Sequence, residues 1–179
     1  QKYGKIYNID FKEFKDYSCN ETNSFLRKFQ YIRGGVNHGC LPPKKFEARC
    51  EFEKFCFLRW FYIYSYVRVN KLKSIWYFDS DTWILKNLSE IEQNFKEYEC
   101  MQMNANGPAK GYITDVFLRK YLKTAREIFD DPSYLRYMIE QTGYHPDFTL
   151  CDMSAFYKCK QEQPLLIAPS ILHDEKMVF

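Results

Sequence analysis

The chain has 179 residues, enough for about one domain that buries its own core. Apolar residues make up 46% and charged residues 27%, and 16 Phe, 15 Tyr and 3 Trp exclude an extensively disordered chain. The net charge of +3 comes without any long block of one sign, so nothing demands a nucleic-acid partner. No apolar run approaches the roughly 20 residues of a membrane helix. The most apolar stretch, 55–69, is broken by Arg59 and Arg68.

Residues 1–43 read as a polar, irregular N-terminal part with scattered aromatics, closing in a loop marked by Gly34, Gly35, Gly39, Pro42 and Pro43. The core, 44–179, begins with one long helix from Lys44 to about Val69. Phe46, Cys50, Phe57, Trp60, Phe61 and Tyr64 recur there near helical spacing, and the C-terminal half is apolar almost all round, as in a buried helix. After a basic turn at 70–73, Ser74 to Phe78 is a continuous apolar run suited to a central strand covered on both faces. It ends at Asp79-Ser80-Asp81, and an apolar stretch resumes from Thr82 to Leu85.

Ser89 with Glu92 suggests a capped short helix reaching about Lys96. Cys100 to Met103 suggests a strand, and Asn104 to Gly111 a loop. Thr114 caps a helix to Phe129 that turns Val116, Phe117, Tyr121, Leu122, Ala125 and Phe129 inward. Asp130-Asp131-Pro132 breaks it. Pro132 starts another helix, to about Thr142, with Gly143 as its stop. A short helix over 152–160 and a strand over 165–168 follow. Strands alternating with helices predict an α/β domain.

Seven cysteines cannot all pair, and none stand in a CxxC spacing, so structural zinc is not expected. Cys50, Cys56 and Cys151 lie among apolar neighbours and read as buried thiols, which favours a reducing, cytoplasmic setting. Sequons at Asn20 and Asn87 pull weakly the other way. A start at Gln1 without a signal peptide, and an end on Val178-Phe179, suggest a chain trimmed at both ends.

The sharpest chemical signal is Asp79-Ser80-Asp81. In extended chain, residues i and i+2 point the same way, so two carboxylates share one direction where the strand leaves the sheet. In open α/β sheets ligands bind beyond that edge. Neighbouring carboxylates repel, and Mn²⁺ or Mg²⁺ relieves this while binding substrate phosphates. The alternative is a solvated turn, where Asp and Ser are common.

Two enzyme classes place a DxD at a strand end. The haloacid-dehalogenase-type phosphatases use the first Asp as nucleophile, but their fifth position is Thr or Val where this chain has Trp83. The closer match is wider. Phe57-Leu58-Arg59-Trp60-Phe61, the strand over 75–78, Asp79-Ser80-Asp81 with its apolar continuation, and Cys151-Asp152-Met153-Ser154 stand in an order that resembles a group of GT-A type, nucleotide-sugar-dependent glycosyltransferases.

The resemblance implies a single GT-A-like (Rossmann-like) domain with a mostly parallel central sheet flanked by helices. It implies transfer of a sugar from a UDP- or GDP-sugar to a glycan or other hydroxyl acceptor. Asp79 and Asp81 would hold Mn²⁺ or Mg²⁺, with His173 as a third ligand, and Ser80 would lie with them in the donor site. Arg59, whose guanidinium fork suits phosphate or a donor hydroxyl, would bind the nucleotide sugar. Its alternative is an ion pair with Glu51 or Glu53. Asp152 would be the general base toward the acceptor, or else a helix cap. Asn104, Asn106 and Gly107 would line the sugar pocket. A non-catalytic binding module of the same fold is the alternative function.

Overall fold

The computed structural model describes residues 12–33, 43–80, 82–101, 110–144 and 148–168. A 3-10 turn, Phe14–Tyr17, precedes α1 (Asn20–Lys28) and the long α2 (Pro43–Val69). Then come β1 (Ser74–Tyr77), α3 (Leu88–Ile91) running into a 3-10 turn (Glu92–Phe95), β2 (Cys100–Met101) and β3 (Gly111–Thr114). α4 (Asp115–Glu127), α5 (Pro132–Tyr144), α6 (Asp152–Glu162) and β4 (Ile167–Ala168) complete the order.

The α/β expectation holds; the mostly parallel sheet does not describe these strands. They form a four-stranded mixed sheet in the order β1-β3-β2-β4. β3 is antiparallel to both its neighbours, and β2 is parallel to β4. β1, β2 and β4 therefore run one way, and β3 is inserted against them. The short path from β2 to β3 leaves no room for a helical crossover, which a parallel neighbour would need. β1 is an edge strand among the described residues, not the central strand its apolar run suggests.

The sheet's two faces follow from the period of two. Ile75, Tyr77, Cys100, Ile113 and Ile167 face the main core, with Phe57, Trp60 and Phe61 of α2, Phe117 and Tyr121 of α4, and Phe156 of α6. Trp76, Met101, Tyr112 and Ala168 face the other way, onto Ile91, Leu88 and Phe95. Trp76 meets Tyr112 across the β1–β3 register at 5.6 Å and Phe95 edge-on at 5.3 Å. Helices thus cover both faces of a short sheet.

Several local expectations shift. Residues 20–28, expected to be irregular, form α1, because Phe25 and Thr22 one turn apart both bury; Phe25 packs on Phe57, Phe61 and Phe129. The cap before α3 is Asn87, whose side chain accepts the Ser89 N–H at 3.2 Å, rather than Ser89 itself. β3 replaces the end of the expected 104–111 loop. Its four residues pass straight into a helix, too short a signal to separate from it. Gly143 does not stop α5, which continues to Tyr144. Trp83 and Leu85 are each 87% exposed, so the 82–85 stretch is not core here.

Thr114 caps α4 as expected, accepting the Phe117 N–H at 3.2 Å. Its hydroxyl also donates to the Glu99 carbonyl at 2.9 Å. Lys120 of α4 holds the Glu99 carboxylate at 2.7 Å and the Pro164 carbonyl at 2.7 Å. These contacts lock α4 to the approaches of β2 and β4.

Candidate functional site

The carboxyl ends of β1 and β2 point to one edge, where β3 begins. Tyr77 pairs with Gly111, so Lys110 lies across from the residue that follows Tyr77. Gly111 holds φ +102°, and a Cβ there would stand 2.7 Å from Met101 Sδ. Glycine at this point lets β3 start close against β2. Asp79 leaves the sheet at the same edge, and its carbonyl accepts the Thr82 N–H at 3.0 Å.

Arg59 reaches this edge from the middle of α2. Its Nη2 donates to Asp152 Oδ2 at 2.6 Å and its Nη1 to Asp79 Oδ1 at 3.3 Å. The guanidinium carbon lies 5.5 Å from the Trp60 ring centre and 5.9 Å from that of Tyr77. Arg59 Nε is buried with no hydrogen-bond partner among the described residues. Arg59 therefore bridges two carboxylates brought from β1 and α6, not the Glu51 or Glu53 of its own helix. Glu51 pairs with Lys54 instead.

Asp152 is 4% exposed at the first turn of α6. Trp60 Nε1 donates to the same Oδ2 at 3.1 Å, and Tyr121 donates to the Asp152 carbonyl at 3.1 Å. The helix cap is Cys151, whose N–H donates to Ser154 Oγ at 3.4 Å, so capping does not explain Asp152. Leu150 donates to the Ile32 carbonyl at 2.9 Å, anchoring the strand-like lead into α6 beside residues 32–33.

Asp79 divides its two oxygens. Oδ1 accepts from Tyr77 at 2.9 Å and from Arg59. Oδ2 pairs with the Lys110 ammonium. Burial works against the charged carboxylate, but the bonds from Lys110 and Tyr77 and the charges of Lys110 and Arg59 outweigh it. Asp79 is held below the usual carboxylate range. Arg59 shows the same contest: burial opposes its charge, and Asp152 more than restores it. Burial and the Asp79 bond, against the pull of Arg59, push the Tyr77 hydroxyl up, so it stays a donor.

Glu53 and Cys56 lie two turns and one turn, respectively, before Arg59–Trp60 on α2. Burial, then Asp152, pushes the Cys56 thiol up to about 12, which makes it an inert packing group. Glu53 is 8% exposed. Burial and then the charge of Asp152 raise its carboxyl above the ordinary 4.5, against the pull of Arg33 and Arg49. A carboxyl raised on folding favours the folded state fully below its ordinary pKa and loses that contribution as pH rises through the folded one. Glu53→Gln is therefore expected to raise the unfolding temperature at pH 8 and to lose that advantage toward pH 4. Thermal unfolding across that range checks this; a difference constant with pH would mean that Glu53 ionises freely in the fold.

Of the expected site residues, Arg59, Asp79 and Asp152 converge, and Ser80 is exposed in the turn beside them. Asp81, Asn104, Asn106, Gly107 and His173 lie outside the described residues. Among the described residues, no three His, Cys, Asp or Glu side chains group to hold a metal. The six described cysteines are free thiols; Cys56 is buried, while Cys50 and Cys151 are half-buried. No described helix is long and apolar enough to cross a membrane.

Sequence reading missed Tyr77, Lys110, Trp60 and Tyr121 as site partners. Tyr77 had a signal, since it stands two residues before Asp79 on the same side of the strand. Lys110 had none, because only strand pairing sets it beside Asp79. Compared with known proteins, this chain matches no family, no curated protein and no solved structure.

Proposed function

We propose that this chain is a metal-dependent glycosyltransferase domain that takes a sugar from a nucleoside-diphosphate sugar and gives it to a glycan or other hydroxyl acceptor. The observation that carries this reading is the Asp79–Arg59–Asp152 bridge at the carboxyl edge of the sheet, with Lys110 on the outer oxygen of Asp79. It unites three sequence landmarks that lie 20 and 93 residues apart along the chain.

The charges favour a diphosphate together with a cation. Arg59 and Lys110 balance Asp79 and Asp152, so an incoming diphosphate adds net negative charge at a site already neutral. Asp79 fits a cation: it is a partly exposed, ionised carboxylate whose outward oxygen already attracts an ammonium. Asp79 and Asp81 would hold Mn²⁺ or Mg²⁺, with His173 as the third expected ligand. Bound there, the ion would neutralise charge on the departing nucleoside diphosphate.

The chain's own residues then have distinct tasks. Arg59, with one Nη on each carboxylate and its Nε buried, offers its remaining Nη hydrogens to phosphate or a donor hydroxyl. Asp152 is buried against Arg59 and Trp60, and this reading gives it a positioning role on Arg59 rather than that of the acceptor's base. Tyr77 fixes the inner oxygen of Asp79. Donors on both Asp79 oxygens favour a charge-holding role over attack by the carboxylate, so the phosphatase alternative has less support.

Thermal unfolding with UDP, GDP and their sugars, in Mn²⁺ and in EDTA, tests the reading. A stabilisation confined to Mn²⁺ and to one nucleotide is expected, about 2.7 kcal/mol at a hundredfold excess over the dissociation constant. Asp79→Asn should abolish it while leaving the fold intact. No shift with any nucleotide would overturn the reading and favour a non-catalytic binding module.

A further inference from the structure

Lys110 belongs to no motif in the sequence, yet the fold places its ammonium on the one Asp79 oxygen that no other described group engages. The two oxygens are not equivalent. Oδ1 is fixed from within by Tyr77, whose ring packs on Trp60 at 4.9 Å, and by Arg59, itself tied to Asp152. Those partners are built into β1 and α2. Oδ2 faces a lysine at the mouth of β3, on a four-carbon stem that reorients easily. Lys110 is about a third exposed, so its ammonium can reach water as well as Asp79.

An ammonium and a divalent cation compete for the same carboxylate oxygen, because each satisfies the same negative charge. We propose that Lys110 is the internal counter-ion of Asp79 and a second basic residue of the donor site. Its ammonium holds the outer oxygen until a divalent cation takes it, and then serves the diphosphate beside Arg59. This rests on the transferase reading above. It makes metal entry and donor entry interdependent: the displaced ammonium gains a phosphate only when the nucleotide arrives, so free metal binds weakly and metal with nucleotide binds well.

The test compares wild type, Lys110→Met and Asp79→Asn. Electron paramagnetic resonance measures Mn²⁺ binding without nucleotide. Calorimetry then measures UDP and GDP binding at saturating Mn²⁺. Lys110→Met is expected to bind Mn²⁺ alone roughly threefold to tenfold more tightly, since the competitor is gone, and to bind the nucleotide more weakly by a similar factor. Lys110→Gln, which keeps a polar head without charge, should do the same, and circular dichroism confirms that each variant folds. Mn²⁺ bound by wild type, lost in Asp79→Asn but unchanged in both Lys110 variants, overturns the counter-ion role and leaves the transferase reading standing. Tighter Mn²⁺ binding with unchanged nucleotide affinity overturns the hand-over to phosphate and so the proposal. No Mn²⁺ or nucleotide binding by wild type overturns both.

Discussion

Trp60→Ala is expected to cost about 4 kcal/mol of folding stability, from the range for truncating a buried large aromatic. Trp60 is fully buried, with Tyr77, Phe117 and Tyr121 around its ring at centroid distances of 4.9, 6.4 and 5.3 Å. The same ring donates from Nε1 to Asp152. Alanine thus leaves a cavity between α2, α4 and β1 and removes one donor from a buried carboxylate. Trp60→Phe helps to separate the two effects, because it keeps an aromatic ring in the cavity while removing the N–H together with part of the indole. It should cost about 2 kcal/mol, the scale for a hydrogen bond to a charged group. Urea unfolding of the three proteins gives both values, provided the slopes with denaturant agree. Equal losses in the two variants would mean that the hydrogen bond, not the packing, dominates at this position.

Asp152→Ala should cost about 3 kcal/mol, at the lower end of the range for removing one partner of a buried ion pair. The lower end applies because Arg59 keeps Asp79 and is one-fifth exposed. What remains is a guanidinium among Trp60 and Tyr77 with one carboxylate instead of two, and an indole N–H without an acceptor. Adding Arg59→Met should recover part of the loss, since the stranded charge is then gone. The double variant need not bind a donor, but it should unfold at higher denaturant than Asp152→Ala alone. A loss under about 1 kcal/mol in the single variant would place the pair with solvent-screened surface bridges. For the proposed chemistry, Asp152→Asn is the informative companion, because it keeps the shape and removes the charge that orders Arg59. It should weaken nucleotide binding in Mn²⁺ with little change in binding of Mn²⁺ alone, as a positioning role requires.

Much of the local structure was legible because it depends on neighbours in the chain. The spacing of Phe57, Trp60, Phe61 and Tyr64 specifies a buried helix wherever it lands, and Thr114 caps α4 through its own third neighbour, Phe117. The apolar run before Asp79 specifies a strand that ends in carboxylates. Arg59, an arginine among apolar neighbours, had to find anions somewhere, because an unpaired buried charge is too costly.

Which anions it found was a tertiary matter. Asp79 is 20 residues from Arg59 and Asp152 is 93, and only the packing of α2 against β1 and α6 closes those distances. The pairing of β3 was equally hidden: the short path from β2 requires it to run antiparallel to β2, but nothing local in Gly111 to Thr114 says that it also pairs with β1 in that direction. That direction delivers Lys110 to Asp79. The sequence alone thus determined that this is an α/β chain with acidic residues at a strand end and an arginine among apolar neighbours in need of partners. The tertiary structure decided that one arginine joins both carboxylates and that a lysine stands on the oxygen left over. Local periodicity acts over a few residues and can be read there, whereas charge pairing acts through space, across whatever segments the fold brings within a few ångströms.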